Sequence, residues 1–152
     1  MAAIAVFLWV IEMVASTDIK FYVHTNNNAP QLQNAYGSMI NVLDACLING
    51  FGSQTISKMT ANNTTVTATF SAAHNLMQYQ VIKISGAIQA EYNIEARILT
   101  VPDATTITFE LASAPSLSTA TGVINCSLPS LGWEKPFSAA GKAAYRSKNI
   151  LL

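Results

Sequence analysis

The residues able to do chemistry are few and widely spaced. His24 and His74 are the only histidines, Cys46 and Cys126 the only cysteines. A nucleophilic site needs a serine or cysteine held beside a base, and neither histidine sits in a recognisable nucleophile motif. His74 falls where a turn enters a strand, so its ring is expected to bond local backbone. The cysteines lack CxxC spacing, so no zinc or redox motif is supported. Cys46 falls on an expected helix and Cys126 in an expected strand, and both read as small buried hydrophobes. The sequence leaves a disulfide between them open. Glu91 and Glu95 are near in sequence, but on a strand such residues stand about 13 Å apart at about 3.3 Å per residue. A glycosidic carboxylate pair needs a closer approach. Gly50 and Gly52 make no phosphate loop. The sequons at Asn62–Thr65 and Asn125–Ser127 matter only in a secretory context. The first residues show no positively charged n-region that would signal one. No enzyme activity, cofactor or metal is expected.

The bulk composition points the same way. Lys+Arg and Asp+Glu are 8 each in 152 residues, so no overall field favours nucleic acid or an anionic membrane. Charged residues are only 11% and hydrophobic ones 51%, a balance that suits a surface covered by neighbours. One local exception stands out. Lys135, Lys142, Arg146 and Lys148 cluster near the C-terminus, interleaved with Trp133, Phe137 and Tyr145. Such mixtures make interface anchors; the alternative is that Trp133 and Phe137 fold back onto the protein's own core. Four charges would bind DNA only weakly and without specificity, so a solvated or subunit-facing patch is the expectation.

These residues must be positioned by a mainly β chain with one or two helices. Residues 1–17 form an apolar N-terminal segment, too short and too interrupted by Glu12 to span a membrane comfortably. If it is helical, Ile4, Phe7, Leu8 and Ile11 share one face, which suits a core or docking segment. Asp18–His24 reads as a strand from its aromatic and β-branched bias. Helical spacing of Tyr36, Met39, Ile40, Leu43, Cys46 and Leu47 predicts a helix over residues 35–49. Asn34 would cap it, Ser38, Asn41 and Asp44 would face away, and Asn49-Gly50 would stop it. Beyond Gly52 the period becomes two. Strands are expected around Thr65–Phe70, Gln80–Ser85, Ile94–Ile98, Thr106–Leu111 and Gly122–Leu128, with turns at Asn62-Asn63, Ser85-Gly86 and Pro102-Asp103. The expected architecture is a small antiparallel β-sandwich or barrel over residues 18–128, led by a strand and helix, with an extended arm over 129–152.

With the strands placed, an ordered set of motifs resembles a small β module of tailed-bacteriophage virion proteins. Its pieces are Ala73-His74-Asn75-Leu76, Val81-Ile82-Lys83-Ile84-Ser85-Gly86, Glu91-Tyr92-Asn93, Thr105-Thr106-Ile107-Thr108-Phe109 and Ala120-Thr121-Gly122. The flanks, Asn41–Leu47 with Asn49–Gly52 and Leu131–Ser138, resemble one group of these structural proteins. Three turns depart from the module's pattern. Asn75 replaces a glycine, Tyr79-Gln80 replace Gly-Asp, and Ile94 follows Asn93 where glycine is usual. Asn tolerates the left-handed region, but Ile94 does not, so the third turn must differ in shape.

The resemblance implies a non-enzymatic subunit located in the virion, partnered by other virion proteins and copies of itself, at tail, neck or baseplate. It implies no specific nucleic acid and no membrane span. Trp133, Phe137, Tyr145, Lys135, Lys142 and Arg146 are the expected interface. The alternatives are a capsid accessory (cement or decoration) protein and a host-attachment carbohydrate-binding module. The last would need exposed aromatics on a β face, with Tyr79 and Tyr92 as candidates.

Overall fold

The computed structural model describes residues 15–148. Most of the apolar segment expected at 1–17 therefore lies outside the described residues, as does the end of the 129–152 arm. Nine strands follow one helix: β1 Phe51–Asn62, β2 Thr65–Phe70, β3 Val81–Ala87, β4 Glu95–Arg97, β5 Thr100–Asp103, β6 Thr106–Glu110, β7 Gly122–Leu128, β8 Trp133–Ala139 and β9 Lys142–Ser147. The first seven form one antiparallel sheet in the order β4-β3-β7-β1-β2-β6-β5, curled into a half-barrel; β8 and β9 pair separately.

The curl has local causes. β1 is 12 residues long and changes partner along its length. Phe51–Thr55 pairs with β7 and Ile56–Asn62 with β2, with register breaks between Phe51 and Gln54 and between Ile56 and Lys58. Such breaks bend a strand and increase its twist. At the far side, β4 and β5 are separated only by Ile98 and Leu99. The Ile98 N–H donates to Gln80 O at 2.9 Å, and the Leu99 N–H donates to Thr108 O at 2.8 Å. One bent stretch of chain thus bonds to β3 on one side and β6 on the other. Gly86, at φ 87, lets β3 cross close to β7: a Cβ there would lie 2.0 Å from Val123 O.

The period-two pattern fills the inside. Val66, Ala68 and Phe70 of β2, Ile107 and Phe109 of β6, Ile82 and Ile84 of β3, and Ile124, Cys126 and Leu128 of β7 are all buried, with Met59 and Tyr92 fully enclosed among them. The intervening threonines of β2 stay at the surface or half-buried. Each large apolar side chain so enclosed contributes about 1.5–3 kcal/mol. Pro102, read as part of a turn, lies in β5 instead. The register there skips from Thr100 to Asp103, so its missing N–H costs no ladder bond.

Three expectations are corrected. Asp18–His24 forms no strand. Side chains from elsewhere satisfy its backbone: Arg97 bonds Ile19 O at 2.7 Å, Gln80 bonds Phe21 O at 3.2 Å, and Asn26 Oδ1 accepts from Val23 N–H at 2.9 Å. The helix α1 spans Ser38–Leu43 and continues as a π-helical stretch, Asp44–Asn49. It starts after Gly37, at φ 81, rather than at an Asn34 cap. Only Ser38 of these residues is buried, while Met39 is 52% exposed. The expected apolar stripe is therefore not a core stripe. Finally, the arm is a β-hairpin, β8–β9, with a register break between Glu134 and Phe137 and a turn at Ala140-Gly141.

Candidate functional site

The six residues singled out near the C-terminus all fall on this hairpin, which leans on the helix. The tie is one carboxylate. Asp44 Oδ2 meets Lys135 Nζ at 2.7 Å, and Asp44 Oδ1 accepts from the Tyr145 hydroxyl at 2.6 Å. Lys135 on β8 and Tyr145 on β9 reach it together because the strands are antiparallel neighbours. Lys135 and Tyr145 hold the Asp44 carboxyl below the usual carboxylate range. Burial and the neighbouring Asp44 push the Tyr145 hydroxyl up to about 12. Three further bonds join the two: the Tyr145 hydroxyl to Ile40 O at 3.3 Å, Leu131 N–H to Cys46 O at 3.0 Å, and the Tyr36 hydroxyl to Ala140 O at 3.3 Å at the hairpin tip.

The remaining residues divide differently from the sequence expectation. Arg146 pairs with Glu134 across the hairpin (Nε to Oε1, 2.6 Å). With Lys135 held by Asp44, two of the four clustered cations are neutralised locally. Lys142 and Lys148 are exposed. Trp133 is half-buried and Phe137 is 54% exposed, so Phe137 does not fold back onto the β core. Sequence reasoning placed Asp44 on a solvent face and missed its role. The available signal was a lone acid on an otherwise uncharged helix, set against an arm with three lysines and Tyr145.

A second polar cluster lies under the N-terminal segment. Gln80 is fully buried; its Nε2 donates to Asn26 Oδ1 at 2.9 Å and its Oε1 accepts from Met77 N–H at 2.9 Å. Asn26 Nδ2 donates to Asn75 O at 2.8 Å. His74 is buried beside it. Its Nδ1 accepts from Leu76 N–H at 2.9 Å, so the Nε2 carries the proton and donates to Asp103 O at 3.1 Å. Both ring nitrogens are thus occupied by backbone, as the sequence led one to expect.

The three divergent turns are resolved. Asn75 takes φ 50 in place of glycine, and Tyr79 takes φ 70. Asn93 forms an inverse γ-turn at φ −84, ψ 73, and its side chain bonds both N and O of Ala87, at 3.0 and 2.8 Å. Ile94 therefore never needs a positive φ. Tyr92 is fully buried, its hydroxyl donating to Leu117 O at 2.7 Å, so Tyr79 and Tyr92 form no exposed aromatic platform. Cys46 and Cys126 are both free thiols. Among the described residues no group of three or more His, Cys, Asp or Glu could hold a metal, and no helix is long and apolar enough to cross a membrane.

A scan against protein-family models, a search of curated proteins and a search of solved structures each return no match.

Proposed function

We propose that this chain is a structural subunit of a tailed-phage particle, assembling with itself and other virion proteins at the tail, neck or baseplate. The observation that carries this reading is the lobe made by α1, its π-helical continuation and the β8–β9 hairpin. It leaves Tyr36 (85%), Met39, Leu131 and Phe137 exposed beside one another's elements, on a chain only 11% charged. Exposed apolar side chains of this kind, which recur beyond the lobe at Ile88 and Val123, are what protein partners cover. The ordered motifs from Ala73 to Gly122 support the same reading through their resemblance to virion modules.

Cryo-electron microscopy of purified particles, with mass spectrometry of their proteins, tests it. The chain should appear in stoichiometric amounts with the lobe against a neighbour. Density over joints between shell subunits would assign it to the capsid surface as a cement protein instead. Absence from particles, with a stable monomer at all concentrations, would overturn the reading.

A further inference from the structure

We propose that Ile19, Phe21, Met77 and Tyr79 form a contact face on which a second copy of this chain docks across a two-fold axis. The four residues come from two separate stretches of chain. Two side chains, Arg97 of β4 and the buried Gln80, draw those stretches together. The Arg97 guanidinium donates to Ile19 O and to Tyr79 O, each at 2.7 Å. The Gln80 amide donates to Phe21 O at 3.2 Å and accepts from Met77 N–H at 2.9 Å. The backbones are therefore fixed beside one another, yet the side chains stay uncovered. Ile19 is 77% exposed, Tyr79 55%, Met77 47% and Phe21 37%.

Tyr79 holds its place against a backbone preference. Met77–Gln80 is a turn closed by Gln80 N–H to Met77 O at 3.2 Å, and Tyr79 is its third residue, at φ 70. Glycine or asparagine is the usual residue at positive φ in such a turn. A half-exposed aromatic ring there adds strain to the chain and little packing. Strain of this kind collects at functional positions, and an exposed, well-anchored tyrosine is a common interface anchor.

The size and charge of the face fit a second copy. At about 200 Å² for a whole large side chain, the exposed fractions leave about 400 Å² uncovered, the size of a monomer's largest apolar patch. A standard homodimer takes about 800 Å² from each partner, about 65% of it apolar, so the face supplies most of the apolar share. A two-fold contact sets each surface against itself, so uncancelled charge would repel. Here the charges balance. Lys20 pairs with Glu95 at 3.1 Å, and exposed Asp18 offsets Arg97. Lys83 lies two positions farther along β3, past Arg97's partner Val81. Glu91 and Glu110 line the adjoining groove with Asp18 and Glu95. Two copies joined there would set acid against acid, which confines the contact to the side of Tyr79. The face lies on different elements from the helix–hairpin lobe and does not depend on the virion reading.

The test is sedimentation of the full chain over a dilution series from about 1 μM to about 1 mM. A Phe137→Ser background weakens contacts made by the lobe, so that what remains reports on this face. That chain should form dimers and nothing larger. Tyr79→Gly and Ile19→Ser, added singly, should each raise the dimer's dissociation constant about tenfold. Glycine also relieves the strained turn, so the Tyr79→Gly monomer should unfold in urea no earlier than its parent at the lowest concentration, which separates lost docking from lost folding. A monomer throughout the range overturns the proposal. Growth beyond two copies overturns it in favour of a head-to-tail contact. Dimers indifferent to both substitutions overturn it in favour of another face, and dimers that vanish with Phe137→Ser alone overturn it in favour of the lobe.

Discussion

Tyr145 and Asp44, 101 residues apart in sequence, share a hydrogen bond of 2.6 Å that fastens the last hairpin to the π-helical continuation of α1. Lys135 holds the carboxylate's other oxygen. Asp44→Asn keeps the shape and removes the charge. A part-exposed ion pair contributes about 0–1 kcal/mol and a charged hydrogen bond about 1.5–3, so hairpin docking should weaken by about 2 kcal/mol. Trypsin should then cut faster at Lys142 and Arg146 while the barrel's melting temperature holds. Unchanged cleavage would show that the hairpin is held by other means.

The same pair predicts two pH limits for docking. Asp44's carboxyl is lowered by Lys135 and Tyr145, so its contribution is present above the unfolded carboxyl value, about 3.9, and lost as pH falls through the lower folded value. Tyr145's hydroxyl is raised to about 12; its contribution is present below the unfolded value, about 10, and lost as pH rises toward 12. Trp133 fluorescence in a Trp9→Phe chain should report a docked plateau between these limits. A single transition at either end alone would contradict the shared bond.

The two thiols should differ in reactivity. Burial pushes the Cys126 thiol up to about 12, and Cys46, half-buried, is raised by the same cause. Thiolate is the reacting form. Iodoacetamide at neutral pH should label Cys46 slowly and Cys126 only on global unfolding. Native labelling of Cys126 at the faster rate would mean that β7 opens locally.

Gln80→Leu should be the most damaging single change in the polar cluster. It takes the side-chain partner from the Met77 N–H and from Phe21 O, and removes one of the bonds made by each amide atom of Asn26. Each abandoned buried group costs about 1–3 kcal/mol, giving a loss of about 3 kcal/mol and a melting temperature lower by roughly 6–12 °C. Calorimetry showing a drop of less than about 2 °C, the size of a neutral surface change, would mean that water replaces the amide.

Tyr79→Gly should stabilise. Tyr79 sits at φ 70 and is 55% exposed, so little packing is lost when the left-handed strain of about 1–2 kcal/mol is relieved. A net gain of about 1 kcal/mol is expected by urea unfolding, and a loss would show that the ring packs on Arg97's neighbourhood more than its exposure suggests.

What could be read in the sequence was what local pattern decides. The Thr65–Phe70 alternation, the inward Ile107 and Phe109, and the Gly50 stop, at φ 72, all follow from side-chain period and backbone freedom. What could not be read was decided by distant partners. Asp18–His24 looks like a strand, yet Arg97 and Gln80 take the carbonyls a ladder would have used. The Leu43 stripe looks like a core face, yet the half-barrel fills its inside without it, and the hairpin and Tyr22 pack against the helix instead. The hairpin itself was hidden because Pro136 and the stretch Ala139 to Ala144, small residues apart from Lys142, give no strand signal alone. Of the candidate site, the hairpin residues were found from composition, while Asp44, which holds them, was not, because an acid on a helix normally reads as solvated.

The bend at Ile98-Leu99 has a mechanical consequence. An open sheet can unravel by peeling its outermost strand, one ladder bond at a time. Here the two outermost strands are successive parts of one chain, so pulling β4 from β3 loads β5 against β6 through a two-residue link. Unravelling cannot start quietly at a border. It must break bonds on both flanks at once, so the barrel should yield as a unit rather than fray, and a cross-link holding Ile98 near Gln80 would strengthen both flanks together.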